Sequence, residues 1–292
     1  LFQLSKKNQK MKEVVSISVI VPNYNYERYL IERLYSILNQ KVKIREILLL
    51  DDCSTDNSRE QIDHLVEKLS PYIAIKKVYN EQNSGSAFKQ WEKGFSLAQG
   101  EYVWIAEADD FCDKKMLKYL VKPLKKNKNI MISYCDTAFI DGVGKIILSS
   151  IKNEIDIMQT GHWDHNFINS GVDEITHYAF LNCTIANVSS ALIRNGDYQK
   201  YFKLSGEFKQ AGDWLFYINV MQQGDISYNA KTLNYYRVHG NNVSSVMKKD
   251  AHLKEIKRIH QYIDKKFHLN NFQKKEIKKR YSFLEKAWNL KK

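Results

Sequence analysis

Glu107, Asp109 and Asp110 crowd together where the apolar run YVWIA (102–106) ends. Side chains alternate along a strand, so Glu107 and Asp109 point the same way if extended backbone persists to the tip. Two carboxylates this close repel, and one drifts toward its protonated form unless a cation shares the site. A hard divalent ion, Mn2+ or Mg2+, resolves the conflict most simply, because such ions take one or two carboxylates and complete their shell from substrate phosphates. A solvated loop whose acids cap the next helix, where Asp113 also sits, accounts for the same spacing. Asp51 and Asp52, after the run ILLL, pose a similar choice. A carboxylate at a strand end can accept from a ribose hydroxyl or a base N–H, or it can serve a turn.

Acids at strand ends need a sheet to hold them. From Val14 to about Ile132 the runs SISVIV, EILLL, IAIKKVY, EYVWIA and IMISYC are short and largely apolar, as expected of strands covered on both faces. Between them lie segments with helical spacing: Leu30, Leu34, Ile37 and Leu38, then Ile62, Leu65, Val66 and Leu69. This alternation predicts an α/β fold with a mostly parallel sheet and right-handed crossovers. Ligands of such sheets collect beyond the carboxyl ends of the strands, here VPNYNYERYL, DDCSTDNS and EADDF. Asn57 with Glu60, or Ser58 with Gln61, predicts a capping box at the second helix.

After about Ser150 the rhythm loosens. A strand NVSSALI, a helix from Asp213 to about Gln222, and two short strands DISYN and TLNYYRV are expected. From Asp250 onward the chain reads as basic amphipathic helix. Leu253, Ile256, Ile259, Ile263 and Phe267 make one apolar stripe, and Ile277, Tyr281, Leu284 and Trp288 another. The stripes suit packing on the domain or on a neighbour; peripheral docking on an anionic membrane surface is the other use of such helices.

With 292 residues and 43% hydrophobic composition, the chain has room for one large α/β domain or two modest ones. A net charge of +12 points to an anionic partner. The basic residues crowd the C-terminal tail and the segment around Lys122 to Lys128, with no RNP-like aromatic motif or zinc finger, so no nucleic-acid partner is expected. Cys53, Cys112, Cys135 and Cys183 are scattered, which suits reduced thiols in a cytoplasmic protein, acting in solution or at the inner face of the cell membrane. No segment approaches the roughly 20 apolar residues needed to cross a bilayer, and the first fifteen hold no signal-peptide core. Leu1 at the start suggests a piece of a longer, multidomain chain. Sequons at Asn182, Asn187 and Asn242 carry no expectation of glycans in such a compartment. The sequence VPNYN stands where a dinucleotide fold would carry G-x-G-x-x-G, and no P-loop occurs.

Taken in order, SVIVPNYN, ILLLDDCSTDNS, NSGSAFKQWEKGFSLAQGEYVWIAEADD and AGDWLFYINVMQQGDISYNAKTLNYYRVHGNNVS resemble the family 2 glycosyltransferases, over roughly residues 16 to 247. The resemblance implies the GT-A nucleotide-diphosphosugar transferase fold. Residues 14–247 would form that domain, with a nucleotide-binding half at 14–132 and an acceptor half at 133–247. A tail (1–13) would precede it and the basic helices (248–292) follow. Pro22, Tyr24 and Asp52 would hold the base and ribose, with Asp51 nearby, and Asn83 to Gly85 would form a loop beneath the donor. EAD looks like the family's Asp-x-Asp motif, with Ala108 at its centre, Asp109 at the metal position and Glu107 replacing the usual first Asp. His239 matches a histidine that completes the metal or pyrophosphate site in related enzymes. Asp213, in GDW, falls where the family carries its general base.

Residue by residue, plainer roles compete. Asp213 can N-cap its helix. Trp214 reads as core before sugar platform, and His239 alone would be an ordinary histidine. Arg237 can meet a phosphate or an acid, and Asp136 can face the acceptor or serve a turn. Gln90-Trp91 departs from the family's common Arg-Asn. The implied activity is inverting, metal-dependent transfer of a sugar from a UDP- or dTDP-sugar to a saccharide or lipid-linked acceptor, as in bacterial capsule or O-antigen synthesis. A catalytically decayed nucleotide-sugar-binding module of a larger synthase is the alternative.

Overall fold

The computed structural model describes residues 15–240 and 248–290; the expected tail (1–13) and the sequon at Asn242 lie outside the described residues. The strands are β1 (Ile17–Asn23), β2 (Glu46–Asp51), β3 (Ala74–Tyr79), β4 (Tyr102–Ile105), β5 (Phe111–Cys112), β6 (Ile130–Ile140), β7 (Ile146–Leu148), β8 (Phe167–Ser170), β9 (Ala191–Arg194) and β10 (Asp225–Arg237). The helices are α1 (Glu27–Leu38), α2 (Ser58–Leu69), α3 (Ala87–Leu97), α4 (Met116–Lys126), α5 (Lys152–Ile155), α6 (Gly171–Glu174), α7 (Gln199–Ser205), α8 (Gly212–Met221), α9 (Lys249–Phe267) and α10 (Asn271–Ala287).

One sheet runs through the described chain in the order β3-β2-β1-β4-β9-β6-β10-β5, with β7 beside β6 and β8 beside β10. The first four are parallel, as are β6 and β10. The run IMISYC does not continue that parallel set directly, because β9 inserts antiparallel between β4 and β6.

Period-two alternation distributes the strand side chains over two cores. Val19 and Val21, Ile47 and Leu49, and Trp104 face one core, which is closed by Leu30, Leu34, Ile62, Leu65, Leu117 and Leu120 of α1, α2 and α4. Ile20, Leu48, Leu50, Val103 and Ile105 face the other, closed by α3, α7, α8, α9 and α10. Each large aliphatic side chain buried this way stabilises the fold by roughly 1.5–3 kcal/mol.

Several expectations need correction. IAIKKVY is not covered on both faces: β3 pairs only with β2 at the sheet edge, and Lys76 and Lys77 stand exposed on it, as suits an edge. DISYN and TLNYYRV are one strand, β10, whose pairing with β6 shifts register between Asn229 and Thr232. Only the end of NVSSALI is strand; Val188–Ser190 form a 3-10 turn because the Asn187 side chain accepts from the Ser189 N–H. No capping box forms at α2. The Asp56 carboxylate accepts from the Ser58 N–H instead. A capping box does form at α10, between Asn270 and Gln273.

The C-terminal stripes are spent on the protein itself. Leu253, Ile256, Ile259, Ile263, Ile277 and Leu284 are buried in the same apolar cluster as α8, with Phe267, Tyr281 and Trp288 partly buried against it. No described helix is long and apolar enough to cross a membrane.

Candidate functional site

β1 lies between β2 and β4, so the chain leaves it toward one side and later returns to the other. The crevice beyond the carboxyl ends of β1 and β4 is the topological switch point, where open α/β sheets bind ligands. Asn23, Asp51 and the turn after Ile105 all reach it.

On the β2 side the two acids differ. Asp51 is fully buried and accepts from Asn23 Nδ2 (2.9 Å), Ser54 N–H (3.0 Å) and Arg59 Nε (2.7 Å). Burial alone would raise its pKa, but the hydrogen bonds from Ser54 and Arg59 outweigh it and hold the carboxylate below its usual range. Asp52 gathers Asn80 Nδ2 (2.6 Å), Ser84 N–H (2.9 Å), Ser84 Oγ (2.7 Å) and Gln90 Nε2 (2.9 Å), tying the end of β2 to the loop before α3. That loop turns at Gly85, whose φ of +66° favours glycine although a Cβ would meet nothing within 4 Å. Asn83 closes the turn by accepting from the Gly85 N–H. Pro22 is buried in β1, and Tyr24 stands 42% exposed just beyond its end.

The acids after β4 are not in extended chain. The strand stops at Ile105, and the Asp110 N–H donates back to the Glu107 carbonyl at 3.2 Å, forming a turn. The expectation that Glu107 and Asp109 share a strand face is therefore replaced by a turn that still clusters their charges. Glu107 accepts from the Trp91 indole N–H at 2.8 Å. Burial and the neighbouring Asp109 push its carboxyl up to about 8, against that hydrogen bond and the charge of Arg33. Asp109 Oδ2 lies 3.0 Å from His239 Nε2. His239 stacks on Tyr29 at 5.4 Å and meets Tyr26 edge-on at 5.6 Å. The Ala108 methyl is buried in the apolar core, so any ligand would meet only its main chain.

Asp110 turns inward, accepting from Ser189 Oγ (2.6 Å), Asn187 Nδ2 (3.0 Å) and the Arg237 N–H (3.1 Å). It joins β4, the β9 approach and β10 in one network. Asn187, spoken for in this network and buried, is no glycan acceptor. Arg237 meets an acid rather than open solvent: Nη2 donates to Glu32 at 2.6 Å, Nε donates to the Asp109 carbonyl at 2.8 Å, and the guanidinium lies 4.7 Å over Tyr29. Asp136 likewise serves the fold, accepting from Thr232 Oγ1 (2.6 Å) and the Ile151 N–H (3.3 Å).

Asp213 opens α8, partly exposed, and its Oδ1 accepts from the Trp214 N–H at 2.7 Å. Burial by surrounding protein pushes its carboxyl up to about 7, with Glu255 adding to the effect. Trp214 is core, its indole N–H donating to the Ala179 carbonyl at 2.8 Å. Gly212 permits this placement, since a Cβ there would lie 2.8 Å from the Phe88 ring and 2.5 Å from the Ser205 carbonyl. Burial raises the pKa of Tyr217, and the charges of Asp213 and Glu107 add to the effect.

Sequence reasoning missed Arg33, Tyr26 and Glu255, and noted Trp91 only as a departure from the family's common Arg-Asn. Arg33, fully buried in α1 with its guanidinium 4.8 Å over Trp104, supplies positive charge that offsets Glu107 and Asp110. Trp91 and Tyr26 lie against the acids, and burial with the charges of Asp109 and Glu107 raises the Tyr26 hydroxyl above its ordinary range. Glu255 of α9 accepts from the backbone N–H groups of Lys209 (2.7 Å), Gln210 (3.0 Å) and Ala211 (3.0 Å), fixing the loop that leads into Asp213. A buried carboxylate holding three donors leaves them unsatisfied when removed, so Glu255→Ala is expected to cost about 3 kcal/mol of stability, read by chemical denaturation. Glu255→Gln should recover part of that loss.

Among the described residues no group of three or more His, Cys, Asp or Glu side chains could enclose a metal ion. Asp109 and His239 form a pair, which suits a cation that takes its remaining ligands from a diphosphate and water. A hollow of about 400 Å³ opens at His239, lined also by Tyr26, Arg28, Tyr29 and Asp56 among others. A second of about 410 Å³, lined by Lys89, Lys93, Tyr198 and Phe202 among others, holds none of these acids.

Residues 18–201 match the family described as glycosyl transferase family 2. Glycosyltransferase GlyG of Streptococcus pneumoniae is 36% identical over 164 residues, covering 51% of this chain and 52% of GlyG, so the match spans about half of that relative's length. An uncharacterized glycosyltransferase of Haemophilus influenzae is 28% identical over 262 residues, covering 87% of this chain and 76% of the relative. In fold, the chain resembles the crystal structure of Staphylococcus aureus TarS 1–349 in complex with UDP, with a TM-score of 0.61 and 22% identity over 91% of this chain and 70% of that one. The same TarS fragment has been solved with UDP-GlcNAc, again at a TM-score of 0.61.

Proposed function

The chain belongs to glycosyl transferase family 2, and from that premise we propose that it moves a sugar from a UDP- or dTDP-sugar to a saccharide or lipid-linked saccharide acceptor in bacterial surface polysaccharide synthesis, inverting the anomeric centre. The observation that carries this reading is the pairing of Asp109 with His239 at 3.0 Å beside Glu107; Asp213, with a carboxyl near 7, shares with Glu107 an electrostatic effect on buried Tyr217. The UDP and UDP-GlcNAc complexes of TarS, which has the same fold, support a nucleotide-sugar donor.

In this reading Tyr24, Asp52 and the Asn83 to Gly85 loop would border the nucleotide, and Asp109 and His239 would hold a divalent ion, Mn2+ or Mg2+. That ion would offset the charge gathering on the departing diphosphate. The acceptor oxygen attacks the anomeric carbon on the face opposite the diphosphate, whose bond to that carbon breaks and takes the electron pair. Asp213 removes the acceptor's proton as the new bond forms. A carboxyl near 7 is a stronger base than an ordinary aspartate and is still largely ionised just above neutrality.

Trp91 adds a positioning role. Its indole N–H fixes the longer Glu107 side chain where the family usually has aspartate. Trp91→Phe removes the donor and trims the indole that packs at 5.1 Å on Phe88 to a single aromatic ring. The expected result is a melting temperature lowered by only a few degrees and a donor KM raised about tenfold, roughly the worth of one hydrogen bond.

A thermal-shift panel of UDP, dTDP, GDP and their sugars, with and without Mn2+, tests the whole reading. One diphosphate should stabilise the protein strongly, and only with metal present, because a ligand that binds the folded state alone stabilises by mass action. A flat panel would overturn it.

A further inference from the structure

The C-terminal helices carry most of the chain's excess charge. Residues 248–292 hold fifteen Lys and Arg against five Asp and Glu, so +10 of the net +12 resides there. With Ile277 and Leu284 of α10 buried against the core, the opposite side of that helix faces outward. At 100° per residue Phe272, Lys275, Lys279, Phe283 and Lys286 fall on that outer side. Phe272 and Phe283 are each 60% exposed, and the three lysines are exposed beside them. Lys279 is paired with Glu276 at 2.6 Å, and Arg280 lies 5.4 Å from the Phe283 ring. Eleven residues separate the two phenylalanines, three helical turns or about 16 Å, so they form a row along the helix.

We propose that this outer face of α10 docks the protein on an anionic membrane surface, with Phe272 and Phe283 entering the headgroup boundary and Lys275, Lys279 and Lys286 meeting lipid phosphates. Aromatic side chains on a lysine-rich helix face match an interface that is apolar within and negative outside. A second copy of this chain would bring like charge against like charge. The face is distinct from the buried stripes, and the inference stands apart from the proposed donor chemistry, although a surface-bound enzyme would meet a lipid-linked acceptor where it resides.

The test is co-sedimentation of the full chain with phosphatidylcholine vesicles, pure or with about three-tenths phosphatidylglycerol. Wild type should bind only the anionic vesicles and release as salt rises. Phe272→Ser with Phe283→Ser, and separately Lys275→Glu with Lys279→Glu and Lys286→Glu, should each weaken binding by roughly tenfold or more. Both variants should keep the wild-type melting temperature and nucleotide-induced thermal shift, since the changed residues are exposed. Failure of wild type to bind, equal binding by either variant, or binding to duplex DNA in preference to vesicles would overturn the proposal.

Discussion

Asp213→Asn is expected to lower sugar transfer by about 10²–10⁴-fold while leaving donor binding in place. The substitution keeps the side chain's size, and an asparagine oxygen can still accept from the Trp214 N–H, so the start of α8 should hold. What would disappear is the proposed proton acceptor. Turnover measured as nucleotide release at saturating acceptor, beside the nucleotide-induced thermal shift, separates the two effects; an active variant would remove Asp213 from the chemistry. The pH dependence follows from the same group. Its carboxyl, raised to about 7 mainly by burial, keeps its proton until near neutrality, so the base is lost on the acid side. The ratio kcat/KM should therefore fall about tenfold per pH unit below 7 and level off above it. The asparagine variant should lose that acid limb.

Asp109→Asn is the second large effect. The carboxylate beside His239 would carry half of the protein's share of a metal site, and its loss should cut kcat/KM by about 10²–10³-fold, the usual scale for a group that stabilises developing charge. The Mn2+-dependent part of the UDP thermal shift should vanish with it. The free protein should not be weakened in proportion. The Asp109 carbonyl still receives Arg237 Nε, and neutralising the side chain removes a charge that disfavours ionised Glu107. An unchanged or higher melting temperature with lost metal response would mark a functional acid, whereas a collapse in stability would mark a structural one.

Much of the frame was legible in the sequence because its causes are local. Apolar alternation in SVIVPN and EILLLD needs only neighbouring residues to specify a buried strand, and the Leu30 and Leu34 spacing needs only two turns of helix. The clustering of acids after β4 was visible for the same reason. The partners of each acid were not. Asp109 and Asp110 are adjacent, yet one faces His239 and the other Ser189, Asn187 and Arg237, residues that only the folded sheet brings near. The DISYN and TLNYYRV segments read as two strands because the polar residues at their junction resemble a turn. Pairing with β6 carries the strand through it.

The sequence by itself determined the α/β class, the candidate acids and the basic C-terminal helices, since composition and period are properties of the chain alone. The tertiary structure decided the insertion of antiparallel β9, the grip of Glu255 on the loop before Asp213, the elevated carboxyls of Glu107 and Asp213, and which side of α10 meets solvent. The physical reason is range. Propensity and periodicity act over a turn or two, whereas strand order, desolvation and charge coupling depend on groups far apart in sequence that meet only when the chain is folded.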